Sequence, residues 1–261
     1  MGMMGSSDFE IEDSPEAVFQ FMLDHGWSDG LPVIPPTAHR VRAMLDYAQR
    51  DASELVGYIN PDAGSATLEK IAVNAVMAGC LPEYMPVLVA AVQAMIEPAF
   101  NIHGLQTTTN PVAPLLIING PVREQIGLNS GRGTLGPGNR ANATIGRALR
   151  LIIRNVGGAT TGGVERSVLG NPMKYTMCFA ENEAASPWEP LHVERGLSAQ
   201  QSAVTVFAGE GPRLVVDQLS REPESLVRSL AACLRTVHHP KMGIAMAALL
   251  IVGPEHGRVF R

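Results

Sequence analysis

The sequence predicts an α/β fold with helices packed on a mixed sheet, and three observations carry that expectation. Apolar residues at helical spacing alternate with short, continuously apolar runs of strand length. Hydrophobic residues make up 46% of the 261 residues but aromatics only 5%, so Val, Ile, Leu, Ala and Met must build the core. Gly (26) and Pro (19) are frequent enough to close each element in a sharp turn.

Residues 1–13 read as a flexible tail, and residues 14–261 as one compact α/β domain. Ser14 is a good N-cap and Pro15 suits the first helical position, so a helix opens there and breaks at residues 26–30 (GWSDG). Residues 31–37 (LPVIPPT) form an extended, proline-stiffened segment, after which Thr37 caps a helix to about Ala48. Leu68, Ile71, Ala72, Ala75 and Val76 mark an amphipathic helix that Gly79 ends. Pro82 and Pro86 fall in the opening turns of the next helix, where a missing N–H costs little.

Residues 115–119 (LLIIN) read as a buried strand ended by Gly120-Pro121. A glycine-rich loop, 129–138, then feeds a helix over 140–155 with Ala141, Ile145, Leu149 and Ile152 on its apolar face, closed by Gly157-Gly158. Residues 175–180 and 203–208 read as strands, 223–236 as a helix and 247–252 as a buried strand. LLIV-Gly253-Pro254 echoes LIIN-Gly120-Pro121, which admits two related α/β units, 14–160 and 161–261, as readily as chance.

Charged residues are only 17%, against roughly 25% in an average soluble chain, so disorder is excluded for most of the length. The net charge is −5 and no stretch concentrates Lys and Arg, so nucleic acid is not an expected partner. The longest apolar run, 244–252, is too short for a bilayer, which needs roughly 20 residues. The first residues lack a basic segment followed by an apolar one. Three widely spaced cysteines do not make a disulfide framework. These features predict a cytoplasmic protein with no membrane contact. The low charge content and the abundance of apolar helices predict that part of the surface is buried in an oligomer, a homo-oligomer on composition alone.

Three regions could carry chemistry. Cys80 lies just before a helix N-terminus, which favours thiolate; it is a candidate nucleophile or redox thiol, with a small apolar plug as the even alternative. The loop and helix start at 135–147 offers Gly136, Gly138, Asn139, Arg140, Asn142, Thr144 and Arg147 to a carboxylate or phosphate, although it matches neither known phosphate-loop pattern. Asn74, Thr107 and Thr108 are further candidate substrate contacts, and His103 a candidate base. Glu183 and His192 lie in an acidic, proline-rich loop beyond a strand, where carboxylates suit acid–base work. Glu183, Glu189 and His192 could hold a metal, but they lack a recognised ligand spacing, and no cofactor is predicted. Cys178, Cys233, the pair His238-His239 and His256 read as packing residues, helix-end residues or sheet-edge residues.

The segments DGLPVIPPT (29–37), EKIAVNAVMAGCLPEYMPV (69–87), FNIHGLQTTTNPVAP (100–114), LGPGNRANATIGRALRL (135–151), KYTMCFAENEAASPWEPLHVERG (174–196) and GPEHG (253–257) together resemble an uncharacterised bacterial family. Its members resemble companions of thiol or selenol proteins carrying a UGSC or CGSC motif, which is absent here. Family chains continue past the GPEHG segment, so the resemblance implies a partner chain that completes a site.

The expected function is therefore that of an enzyme acting on a small anionic substrate. Cys80 would attack, residues 135–147 would hold the anion, and His103 or Glu183 would move protons. The rivals are a non-catalytic or half-site subunit beside a thiol-bearing partner, and a metal-assisted hydrolase or lyase.

Overall fold

The computed structural model describes residues 5, 7–237 and 247–261. It is an α/β fold. A three-stranded sheet takes the order β4-β3-β5, where β3 is Ala113–Asn119, β4 is Cys178–Ala180 and β5 is Ala203–Gly209. β3 pairs parallel with β4 and antiparallel with β5, so the sheet is mixed as expected. A separate hairpin joins β1 (Leu55–Ile59) to β2 (Gly64–Thr67), and the sequence reading did not anticipate it.

Every residue of β3 is buried, because both faces of the sheet are covered. Leu116 and Ile118 face the main core, while Ala113, Leu115 and Ile117 face a smaller cluster with Met177 and Phe179. This is the two-residue period of a strand read from both sides, and it explains why the run is apolar throughout rather than alternating.

The helices follow local rules closely. α1 (Pro15–Asp24) is capped by Ser14, whose hydroxyl accepts from the Ala17 N–H. α2 (Ala38–Ala48) follows the proline segment. α3 (Leu68–Ala78) starts at Thr67, whose hydroxyl accepts from the Lys70 N–H. α4 (Met85–Ile96) continues a 3₁₀ turn at Pro82–Tyr84. α5 (Ile102–Thr107) and the one-turn α6 (Val122–Gln125) flank β3. α7 (Arg140–Asn155) packs on α3, α4 and β4 with Ile145, Leu149, Leu151 and Ile152 fully buried. The one-turn α8 (Leu191–Glu194), then α9 (Pro223–Val237) and α10 (Pro254–Val259), complete the order.

Several expectations are corrected. The part of the supposed flexible tail that is described is docked. Phe9 packs on Phe21, His25 and Trp27 with ring centroids 5.4, 6.0 and 5.7 Å away, and the Gly5 N–H donates to Glu69 Oε2 at 2.9 Å. Residues 247–252 are not a strand; Leu250 and Ile251 are exposed, and no partner strand lies beside them among the described residues. The Gly-Pro echo thus follows a strand at Gly120 but not at Gly253. The strand expected from 175 begins at Cys178, because a 3₁₀ turn at Pro172–Lys174 turns the chain first. His238 and His239 lie outside the described residues.

No single helix among the described residues is long and apolar enough to cross a membrane. The pair Pro82–Ile96 and Pro98–Thr107 passes by length and composition together, but it is bent by 71°. Within it, Val87, Leu88, Val89, Ala91, Val92 and Met95 are buried inside the protein.

Candidate functional site

The parallel strands β3 and β4 end side by side, and the polar residues just past them converge. Asn119 closes β3 and is fully buried. Its Nδ2 donates to Glu181 Oε2 at 2.6 Å and to Glu183 Oε1 at 3.0 Å. The Gly120 N–H donates to the same Glu183 oxygen at 2.7 Å. Arg123, on α6, reaches back across the gap. Its guanidinium donates to the Gly120 and Glu181 carbonyls and, at 2.8 Å, to Glu183 Oε2. Burial alone would push the Glu183 carboxyl upward, but the Gly120 N–H, the Asn119 amide and the Arg123 guanidinium outweigh it and hold that carboxyl below its usual range.

His192 projects from α8 into this cluster and is enclosed. Its Nδ1 stands 3.9 Å from Glu183 Oε1, too far for a hydrogen bond. Among the described residues neither ring nitrogen has a hydrogen-bond partner, nor does Asn119 Oδ1. Covering the site, α8 is tied down where the Leu191 N–H donates to Glu181 Oε2 at 2.9 Å.

Of the expected site residues, the structure therefore brings Glu183 and His192 together. Asn119 and Arg123 were not anticipated. Asn119 is the one polar residue of an otherwise apolar strand run, and that is the signal that could have found it. Nothing in the sequence marks Arg123.

The expected anion loop is otherwise engaged. Asn139 caps α7, accepting from the Asn142 N–H at 3.0 Å and donating to the Gly127 carbonyl. Asn142 uses its whole amide on the Asn129 backbone and the Thr134 carbonyl. Arg140 donates to the Gly79 carbonyl, and Thr144 to the Arg140 carbonyl. Arg147 holds Asp29 through two bonds of 2.8 Å each. The Gly136 N–H closes a turn onto Gly133, and Gly138 has φ of 108°, which shapes the entry to Asn139. These donors hold the loop, α3 and the proline segment together, which is why the same residues that suit an anion also suit a joint.

Asn74 is likewise structural, donating to the Lys70 carbonyl and accepting from Asn155. His103 and Thr107 are exposed on α5, where the Thr107 hydroxyl donates to the His103 carbonyl, and Thr108 Oγ1 accepts from the Asn110 N–H. Glu189 is exposed, and no group of three or more His, Cys, Asp or Glu residues among the described ones could hold a metal ion. His256 lies on α10 with Nε2 2.9 Å from the Asp217 carbonyl.

Cys80 is corrected in direction. It sits between α3 and α4 with 5% of its surface exposed. Burial pushes its thiol up to about 12, although Thr144 and the more distant Arg140 and Arg147 act the other way. Charge stabilisation at a helix start does not compensate for removal from water. Burial also raises the Cys178 thiol. In native protein, alkylation followed by mass spectrometry is expected to modify the half-buried Cys233 first and to leave Cys80 and Cys178 unmodified until the chain unfolds. Rapid labelling of Cys80 at neutral pH would overturn this.

Comparison with family models, with curated proteins and with solved structures gives no match.

Proposed function

We propose that the protein is an enzyme that moves a proton on a small molecule bound beyond the carboxyl ends of β3 and β4, with His192 as the proton-transfer group and Glu183 as its carboxylate partner. The observation behind this is the enclosed His192 ring, both of whose nitrogens lack a partner among the described residues, beside an ionised carboxylate. A buried polar group left unpaired costs roughly 1–3 kcal/mol, and such groups gather where function requires them. The position agrees with the general rule for α/β sheets, whose ligands bind past the carboxyl ends of the strands.

The chemistry follows from the donor set. Imidazole can take a proton on one nitrogen while the other donates. Once it is protonated, the nearby Glu183 carboxylate stabilises the charge, and Gly120, Asn119 and Arg123 keep that carboxylate fixed and ionised. Access requires α8 to lift, and its one-turn length makes that segment the natural cover.

The test is solvent exchange. Wild-type protein is incubated in D2O with a small-molecule extract and read by proton NMR for deuterium incorporation or turnover. The expected result is a signal that His192→Gln lowers by about 10²-fold or more, the usual span for a lost general acid or base. Glu183→Gln is expected to lower it as well. Circular dichroism and urea unfolding confirm that the variants fold. Full signal in folded His192→Gln, or no exchange with wild type, would refute the proposal.

A further inference from the structure

The other end of β4 carries a second arrangement, and it is unrelated to the His192 pair. Lys174 ends the 3₁₀ turn that precedes β4, whereas Glu181 follows the strand directly. A cleft of about 470 Å³ opens beside Lys174. Its charged lining is Arg150 and Arg154 from α7, Lys174, Glu165 and Asp29.

The pairing among these groups is uneven. Asp29 is neutralised by Arg147, which lies outside the cleft lining. Glu165 is buried; its Oε1 accepts from the Ser167 N–H at 2.9 Å and stands 3.3 Å from Lys174 Nζ. Lys174 Nζ also donates to the Val112 carbonyl at 2.9 Å. Arg150 donates through Nε to the Lys174 carbonyl at 2.9 Å, but its Nη1 is closed to solvent and has no partner among the described residues. Lys174 thus takes the Glu165 carboxylate, and Arg150 retains an unused donor. Arg154, whose Nε donates to the Gly26 carbonyl, adds a further positive charge to the lining.

The electrostatics record the crowding. Burial pulls the Arg150 guanidinium down to about 10. Burial, and then the neighbouring Arg150, lower Lys174 as well. Guanidinium keeps its proton at neutral pH, so Arg150 cannot relieve the strain by losing charge. A carboxylate or phosphate oxygen is the group that guanidinium pairs with best.

We propose that this cleft is a binding site for a small molecule with an oxyanion head, carboxylate or phosphate, that pairs with Arg150 and rests its apolar body on Leu169, Pro172 and Tyr175. Those three residues line the cleft beside the cations and offer apolar surface to such a body. An anionic ligand is thus expected at a different place from the glycine-rich loop.

The test uses four probes: acetate, benzoate, inorganic phosphate and phenyl phosphate. Binding is followed by calorimetry and by NMR shifts at low and at moderate salt. The expected result is saturable, salt-sensitive binding that shifts resonances of Arg150, Arg154, Leu169 and Tyr175. Benzoate or phenyl phosphate should bind more tightly than acetate or inorganic phosphate, and which of the two wins identifies the head group. Arg150→Met should weaken binding by about tenfold or more, the loss expected of a charge-assisted contact.

Arg150→Met also loses the Nε bond to the Lys174 carbonyl, so its ligand-free melting temperature is measured to confirm that the variant is folded at the temperature of the binding experiment. Arg154→Gln, at a more accessible position, should weaken binding less and leave folding unchanged. Failure of all four probes to saturate, or undiminished binding by folded Arg150→Met, would overturn the assignment. Neither outcome touches the His192 pair, which lies at the opposite end of β4.

Discussion

Replacement of Gly120 by alanine is expected to destabilise the protein by about 3 kcal/mol or more, the range of severe backbone substitutions. Gly120 has φ of 80°, a left-handed conformation that costs an L-residue about 1–2 kcal/mol. The larger effect is steric. A Cβ built there would lie 2.1 Å from the Gln201 carbonyl oxygen and 2.7 Å from the Ser202 Cα. Both atoms are backbone of the segment that leads into β5, so no side-chain rotation relieves the collision. The Gly120 N–H also donates to Glu183, so any shift that makes room moves that carboxylate. Urea unfolding should show a much lower midpoint with an unchanged slope. A midpoint close to wild type would mean that the β3–β5 junction is looser than the structure shows.

The second large effect is expected at Arg147. Its guanidinium holds both Asp29 oxygens at 2.8 Å and also donates to the Leu31 and Pro32 carbonyls at 3.2 and 3.0 Å. Arg147→Ala leaves all four acceptors without that donor. Removing one partner of a fully buried pair costs about 3–5 kcal/mol. Each side chain here keeps 14% exposure, so solvent returns some of the loss and roughly 2–3 kcal/mol is expected. Arg147→Lys should restore only part of it, because an ammonium cannot form the planar two-bond pair. A double-mutant cycle with Asp29→Asn isolates the pairwise energy, which would be close to zero if the ion pair contributes nothing.

Helix α7 shows how far local chemistry reaches. Its boundaries, its Asn139 cap and its Ile145, Leu149 and Ile152 stripe all follow from residues within one or two turns of each other. α1, α3 and α4 behave in the same way, each with its cap or proline in place. The β1–β2 hairpin was not legible. Gly-Ser-Ala-Thr carries no apolar alternation, and its position depends on a distant contact: a Cβ at Gly64 would fall 1.8 Å from the Val156 carbonyl. Residues 247–252 failed in the opposite sense. Their composition suits a strand, but a strand exists only where another lies beside it.

The candidate sites divide in the same manner. Glu183 and His192 could be suspected from a polar loop placed after an apolar run, because that relation is local. Their meeting with Asn119 and Arg123 spans some 60 residues of chain and could not be seen.

The sequence by itself determined the α/β class, most helices with their caps, and the buried central strand, since propensity, capping and periodicity act between near neighbours. Only the tertiary structure decided which polar groups remain unpaired. It spent the donors of the glycine-rich loop on joining segments, closed Cys80 away from water, and left the His192 ring and the Nη1 of Arg150 without partners among the described residues. Burial and pairing depend on what the rest of the chain places around a group, and no local pattern encodes that.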